Sequence, residues 1–231
     1  MGVTKDTLET LRMQVQGNPV DFTVSDVICI GYSGRNQEKV KEHIEELAEI
    51  GIPRPDRVPA LFPMRRSSLL QGGPLEVNHL DSSGEAEPVL IFGEDEEDVY
   101  LSLGSDHTDR DLETVSIAKS KQVCDKPLSR EAWKLSEVLP HWDELKLKTE
   151  IRVEGAWQTY QAADATAIMH FDDVRAYLKE QQLPLKQAVY YIGTVPLLDG
   201  FKYGDAYRMQ LHDPVLDRTL VLTYEVKPLE N

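Results

Sequence analysis

Apolar and polar residues alternate without a break over residues 145–153, Leu-Lys-Leu-Lys-Thr-Glu-Ile-Arg-Val. Alternation of this kind puts one set of side chains on a core and the other in water, as in a half-buried antiparallel strand. The same period runs over 11–16, where Gly17-Asn18-Pro19 ends it. Shorter apolar runs at 26–31, 88–92, 99–103, 115–124, 188–194, 206–211 and 219–226 also read as strands. The acidic turn 94–98 joins two of them. The period changes at 37–50, where Val40, Ile44 and Leu47 recur at spacings of four and three before Gly51 and Pro53. That spacing predicts a helix with one buried face. A second helix is predicted over 171–181, with Asp172 and Asp173 in the first turn, where the helix dipole favours acids. The Pro- and Gly-rich stretch from the end of the first helix to Pro74 reads as a long loop over a site. Many strands, two helices and no regular strand–helix alternation give an α+β class, mainly β, and argue against a doubly wound fold.

Bulk properties narrow the function. At 231 residues, one main domain with a sizeable core is the expectation. A formal net charge of −15 argues against nucleic-acid backbones and anionic membranes as partners. Cys29 and Cys124 both lie in apolar stretches and are expected to be free buried thiols, as in a reducing compartment. The N-terminal residues carry no apolar signal core, and no apolar run approaches a membrane span, so the expected location is the cytoplasm.

Candidate chemistry lies in three stretches. Glu85 and Glu87 are two apart in an extended segment, so their carboxylates share a face. Asp106 follows the next apolar run, and a hairpin through the acidic turn would bring all three together. Three carboxylates suit a hard divalent cation such as Mg²⁺ or Mn²⁺. Lys119 and Lys121 share a face if their segment is a strand. His43 borders the apolar face of the first helix, where it could be a general base or a packing residue. His107 stands beside Asp106, and Thr194, Arg65 and Arg66 are candidates to hold a substrate carboxylate. There is no phosphate loop, dinucleotide fingerprint, nucleophile elbow, Cys-x-x-Cys or zinc-type His-Glu-x-x-His.

Taken in order, these stretches resemble the fumarylacetoacetate hydrolase superfamily. Ser83-Gly84-Glu85-Ala86-Glu87 resembles its Glu-x-Glu, Gly104-Ser105-Asp106-His107-Thr108-Asp109-Arg110-Asp111 its Gly-Asn-Asp-x-Ser-x-Arg-Asp, and Lys119-Ser120 its Lys-Ser. His43 with Glu46, Thr166 to Phe171, and Gly193-Thr194-Val195-Pro196 extend the likeness, which runs from about Asp26 to Val226. The resemblance implies a mixed β-sandwich roll with a few peripheral helices, over residues 25–231, after an N-terminal extension of residues 1–24. It implies a metal site at Glu85, Glu87 and Asp106, with Lys119 rather than Lys121 beside it and His43 activating water. The activity implied is hydrolysis of a carbon–carbon bond in a 2-oxo or 1,3-dicarbonyl acid through a metal-stabilised enolate, in a homodimer. Decarboxylation and tautomerisation share that enolate. A non-catalytic metal- or acid-binding protein on the same fold is the alternative from another class, and a His43 remote from the metal would mark it.

Overall fold

The computed structural model describes residues 9–49 and 51–229, so Ile50, the last residue of the first predicted helix, and residues 1–8 of the extension lie outside it. The chain begins with a hairpin of β1 (Glu9–Val15) and β2 (Asn18–Val24) turning at Gly17. Then come β3 (Asp26–Gly31), α1 (Gln37–Glu49) and β4 (Ala60–Met64). The stretch expected to be loop thus contains β4, a 3₁₀ turn at Arg66–Ser68 and the short strand β5 (Leu69–Leu70), and β6 (Leu75–Val77) follows it directly. Pro63 hid β4 from a pattern reading. A proline is tolerated in an edge strand, and β4 ends its sheet.

Next are β7 (Ser82–Ser83), β8 (Ala86–Phe92), β9 (Val99–Ser105) and β10 (Thr108–Asp109). Two short helices, α2 (Arg110–Glu113) and α3 (Ile117–Val123), precede β11 (Lys126–Lys134). Here the expectation of a strand over 115–124 was wrong. Ser116 caps a helix, its side chain accepting from Lys119 N–H, and Ile117, Ser120 and Lys121 form the buried face at spacings of three and one. The strand starts only after Cys124. Beyond α4 (Leu135–Val138), β12 (Lys146–Val153) and β13 (Ala156–Asp164) form a hairpin, followed by α5 (Phe171–Glu180), β14 (Ala188–Tyr191), β15 (Ala206–Asp213) and β16 (Arg218–Pro228).

The main sheet runs β2-β1-β11-β9-β8-β14-β3-β4, with β5 beside β11. A second sheet runs β13-β12-β15-β16-β6. The architecture is α+β and mainly β: mixed sheets with few helices. Between the sheets lies one core, with Leu90, Phe92, Leu101, Leu103, Tyr190, Tyr207 and Leu211. On the outer face of the main sheet lies a second, with Val89, Ile91, Tyr191, Leu128 and Cys29. Both faces of β8 are therefore covered, and all seven of its residues are buried. Period two then fixes everything along β8: even-numbered residues point between the sheets, odd-numbered ones outward.

Cys29 and Cys124 are both buried and unpaired, as expected. The acidic turn does more than sit in water. Glu97 pairs with Arg175, and Glu96 lies 3.1 Å from Lys179, tying the β8–β9 turn to α5.

Candidate active site

Strand parity assembles the site. Glu87 shares the outer face with Val89 and Ile91, and Glu85 continues that face just before the strand. In the β8–β9 hairpin Glu87 lies opposite Gly104, so Asp106, two residues on, projects to the same side. Asp106 N–H donates to Glu85 carbonyl at 3.0 Å, extending the ladder to the site. Leu128 is also opposite Gly104, from β11, which brings Lys126 at the start of that strand onto the same face. The ladder places Glu85, Glu87 and Asp106 on one face at the open end of the hairpin.

The cations around them were read less well. Lys119 is exposed on α3, so the lysine favoured for the site is not in it. Lys121 is, with Nζ 2.6 Å from Asp106 Oδ2. Lys126, fully buried, lies 3.1 Å from Asp106 Oδ1 and donates to the carbonyls of His107 and Lys121 at 2.5 and 2.6 Å. No sequence motif marked Lys126. The signal was a lysine opening an otherwise apolar strand, and the misread helix before it concealed the strand's start. Arg110, first residue of α2, lies 3.0 Å from Glu85 and 2.8 Å from Glu113, donates to Ser83 Oγ at 2.7 Å, and covers the Phe201 ring at 4.3 Å. Arg110 thus grips a site carboxylate.

Glu87 is fixed differently. Gly193 N–H donates to its Oε2 at 2.8 Å. Gly193 has φ +102°, and a Cβ there would strike Ser33 Oγ, so glycine is required to aim that N–H. Thr194 does not face a free pocket. Its hydroxyl donates to Ala86 carbonyl at 2.7 Å and accepts from Gln161 at 2.8 Å, pinning the residue between the two glutamates.

Other candidates lie elsewhere. His107, next to Asp106, points between the sheets, where Tyr224 hydroxyl and Ser82 Oγ each lie 3.0 Å from a ring nitrogen. With both nitrogens engaged and the ring fully buried, it packs the site from behind and offers nothing to a substrate. His43 has a side chain 59% exposed and sits 3.6 Å from Glu46, on the solvent side of α1. Arg65 is exposed, 3.4 Å from Asp125, and Arg66 lines a shallow groove with Thr10 and Gln71.

The electrostatics follow from burial. Burial, and then the charge of Asp106, push the Glu87 carboxyl well above the usual range, and Lys121 and the Gly193 N–H only partly offset this. Burial also acts to raise Asp106, but the two lysines outweigh it and hold Asp106 below the usual carboxylate range. Lys121 and Arg110 are held up, despite burial, by the carboxylates they face. The result is a buried, cation-bridged carboxylate centre containing one carboxyl, Glu87, that is short of positive charge.

Whether a metal suits this centre turns on its donors. Among the described residues, no three His, Cys, Asp or Glu side chains converge on one point as ligands do. Arg110 and the two lysines hold the carboxylates instead. The donors themselves fit a hard cation. All are carboxylate oxygens, with Asp106 Oδ1 3.1 Å from Lys126 and Oδ2 2.6 Å from Lys121. Burial favours the neutral form of Glu87, and a dication beside it would favour the carboxylate.

The family model DUF2848, described as proteins of unknown function, matches residues 30–224, and the chain belongs to that family. No curated protein matches it. Among solved structures it is similar to a candidate fumarylpyruvate hydrolase of Burkholderia cenocepacia, at TM-score 0.65 and 18% identity over 100% of both chains. It is similar to 2-keto-3-deoxy-D-arabinonate dehydratase complexed with magnesium and 2,5-dioxopentanoate, at TM-score 0.62 and 16% identity over 89% of this chain and 74% of that one. A third likeness is to 4-oxalocrotonate decarboxylase of Pseudomonas putida G7 with calcium and acetate, at 0.53 and 13% over 87% and 76%. The chain shares its fold with these three proteins.

Proposed function

We propose that this member of DUF2848 is an enzyme acting on a small 2-oxo or 1,3-dicarbonyl acid, through an enolate formed at the Asp106 centre. The observation that carries the reading is Asp106 held between two buried ammonium groups, beside a glutamate whose carboxyl is driven well above its usual range. Such a centre has positive charge where an enolate would develop it negative, in a site with little water to screen it. Neighbours of this fold bind magnesium or calcium, and Glu85, Glu87 and Asp106 are the residues that would hold a divalent cation here. When bound, that cation would supply Lewis-acid polarisation of the oxo group.

The chain's own residues divide the remaining work. Lys126, anchored by two carbonyls, is a fixed positive charge at Asp106. Arg110 orients Glu85. Burial pushes the Glu87 carboxyl well above its usual range, so without a bound cation Glu87 favours the protonated form. His43, proposed from resemblance as the base that activates water, is on the solvent side of its helix. That removes the reason to favour carbon–carbon hydrolysis, because decarboxylation and tautomerisation need the enolate without an activated water. It also keeps a second reading in view, a non-catalytic acid-binding protein, which the exposed His43 favours.

The test is turnover. Purified chain with Mg²⁺ or Mn²⁺ is incubated with a panel of 2-oxo and 1,3-dicarbonyl acids, and the enol absorbance is followed. Loss of one acid by wild type, and not by Lys126→Met, supports the enzyme. Saturable binding of the same acids without loss of any would establish the second reading instead.

A further inference from the structure

We propose that Lys121 is a resident counter-ion of the carboxylate centre, which a divalent cation must displace from Asp106 in order to bind. The inference rests on the proposed site and concerns how that site is filled.

The three cations of the centre are not equally held. Lys126 is fully buried and fixed by two backbone carbonyls besides Asp106. Arg110 is clamped by Ser83, Glu85, Glu113 and the Phe201 ring. Lys121 reaches Asp106 Oδ2 from the last turn of the seven-residue α3, with the Phe62 ring 5.6 Å from its ammonium. Its side chain retains 9% exposure where that of Lys126 has none, so it lies on the outer side of the centre. A lysine ammonium on a flexible four-carbon stem can withdraw by rotamer change, whereas the other two cannot move without breaking backbone or multiple side-chain contacts.

Charge makes the displacement necessary. A dication at Asp106 Oδ2 would meet the Lys121 ammonium at contact distance, and like charges so close in a poorly screened site repel strongly. Oδ1 is held at 3.1 Å by Lys126, which cannot leave without giving up its two carbonyls, so a metal would reach Asp106 at Oδ2, where only Lys121 has to move. In the metal-free chain, Lys121 thus neutralises Asp106 and keeps the centre closed. Metal entry exchanges one cation for another, rather than filling a preformed hole.

The experiment measures affinity, not activity. Mg²⁺ and Mn²⁺ are titrated calorimetrically into the full chain as wild type, Lys121→Met, Lys121→Gln and Glu85→Ala/Glu87→Ala. Removing the competitor should tighten metal binding by roughly 10- to 100-fold, the worth of one charge-assisted hydrogen bond. The glutamate double variant should bind none. In wild type, metal should shift the side-chain resonances of Lys121 and leave those of Lys126 in place, a readout independent of whether the variants fold. Equal affinity of wild type and both Lys121 variants, with binding lost in the double variant, would overturn the displacement while leaving the metal site standing. No binding by any form would overturn both.

Discussion

At the scale of single residues, a charge's cost depends on which partners remain when it is removed. Lys126→Met would leave two carbonyls and one side of Asp106 unserved, and should cost about 3–5 kcal/mol in urea unfolding. Lys119→Met, on the exposed face of α3, should stay within about 0.5 kcal/mol. Glu87 behaves unlike its neighbour. Because burial already favours its neutral form, Glu87→Gln should cost about 1 kcal/mol or less, whereas Asp106→Asn should cost several times that by stranding two ammonium groups. Comparable losses for the two would show that Glu87 is as fully ionised as Asp106.

Asp213, far along the chain from the site, governs part of the acid stability. It is fully buried and accepts from Val215 and Leu216 N–H at 3.1 Å, with His141 and Arg218 at 2.9 and 3.1 Å. Burial acts to raise its carboxyl, but these partners outweigh it and hold it below the usual value. A depressed carboxyl stabilises the fold above its unfolded value of about 3.9 and loses that contribution as pH falls through the folded value. Wild type should therefore lose stability below pH ~4 more steeply than Asp213→Asn, which starts lower and is flatter. Parallel pH profiles of melting temperature would contradict this.

At the scale of elements, the β8–β9 hairpin is where the chain was most readable. Two apolar runs of ordinary strand length, an acidic turn between them, and carboxylates at the open end determine both the pairing and the shared face. The Gly193 turn completes it from another strand. Gly193→Ala should destabilise by about 2 kcal/mol, through its positive φ and the collision with Ser33, and should disturb Glu87. An alanine variant as stable as wild type would show that the turn can relax. The segment 115–124 shows the opposite case. Its mix of apolar and polar residues satisfies both periods over so short a length, and only the Ser116 cap distinguishes them. Reading it as strand put Lys119 at the site by adjacency to Ser120, and left Lys126 unseen. Lys121, His107 and Thr194 were all found as residues of interest, but which way each one points depends on layers that no local pattern encodes. His107 faces the second sheet because its neighbour faces outward, a consequence of period two that was available once the strand was accepted.

At the scale of the whole molecule, two sheets enclose one core and helices cover part of the other face, so the carboxylate centre lies beneath α2 and α3 rather than in an open cleft. Among the described residues, no helix is long and apolar enough to cross a membrane. The excess of acidic residues does not carry into the centre, where Arg110, Lys121 and Lys126 balance Glu85, Asp106 and Glu113 and leave Glu87 pushed towards neutrality. The centre is thus locally charge-compensated within a strongly acidic protein. The direct test is binding of oxalate, a planar dianion that mimics the enolate of a 2-oxo acid and does not react. Calorimetry with Mg²⁺ present should give saturable oxalate binding to wild type, weakened at least tenfold in Lys126→Met that still folds. Absence of oxalate binding to wild type, with or without metal, would contradict an enolate-stabilising centre at Asp106.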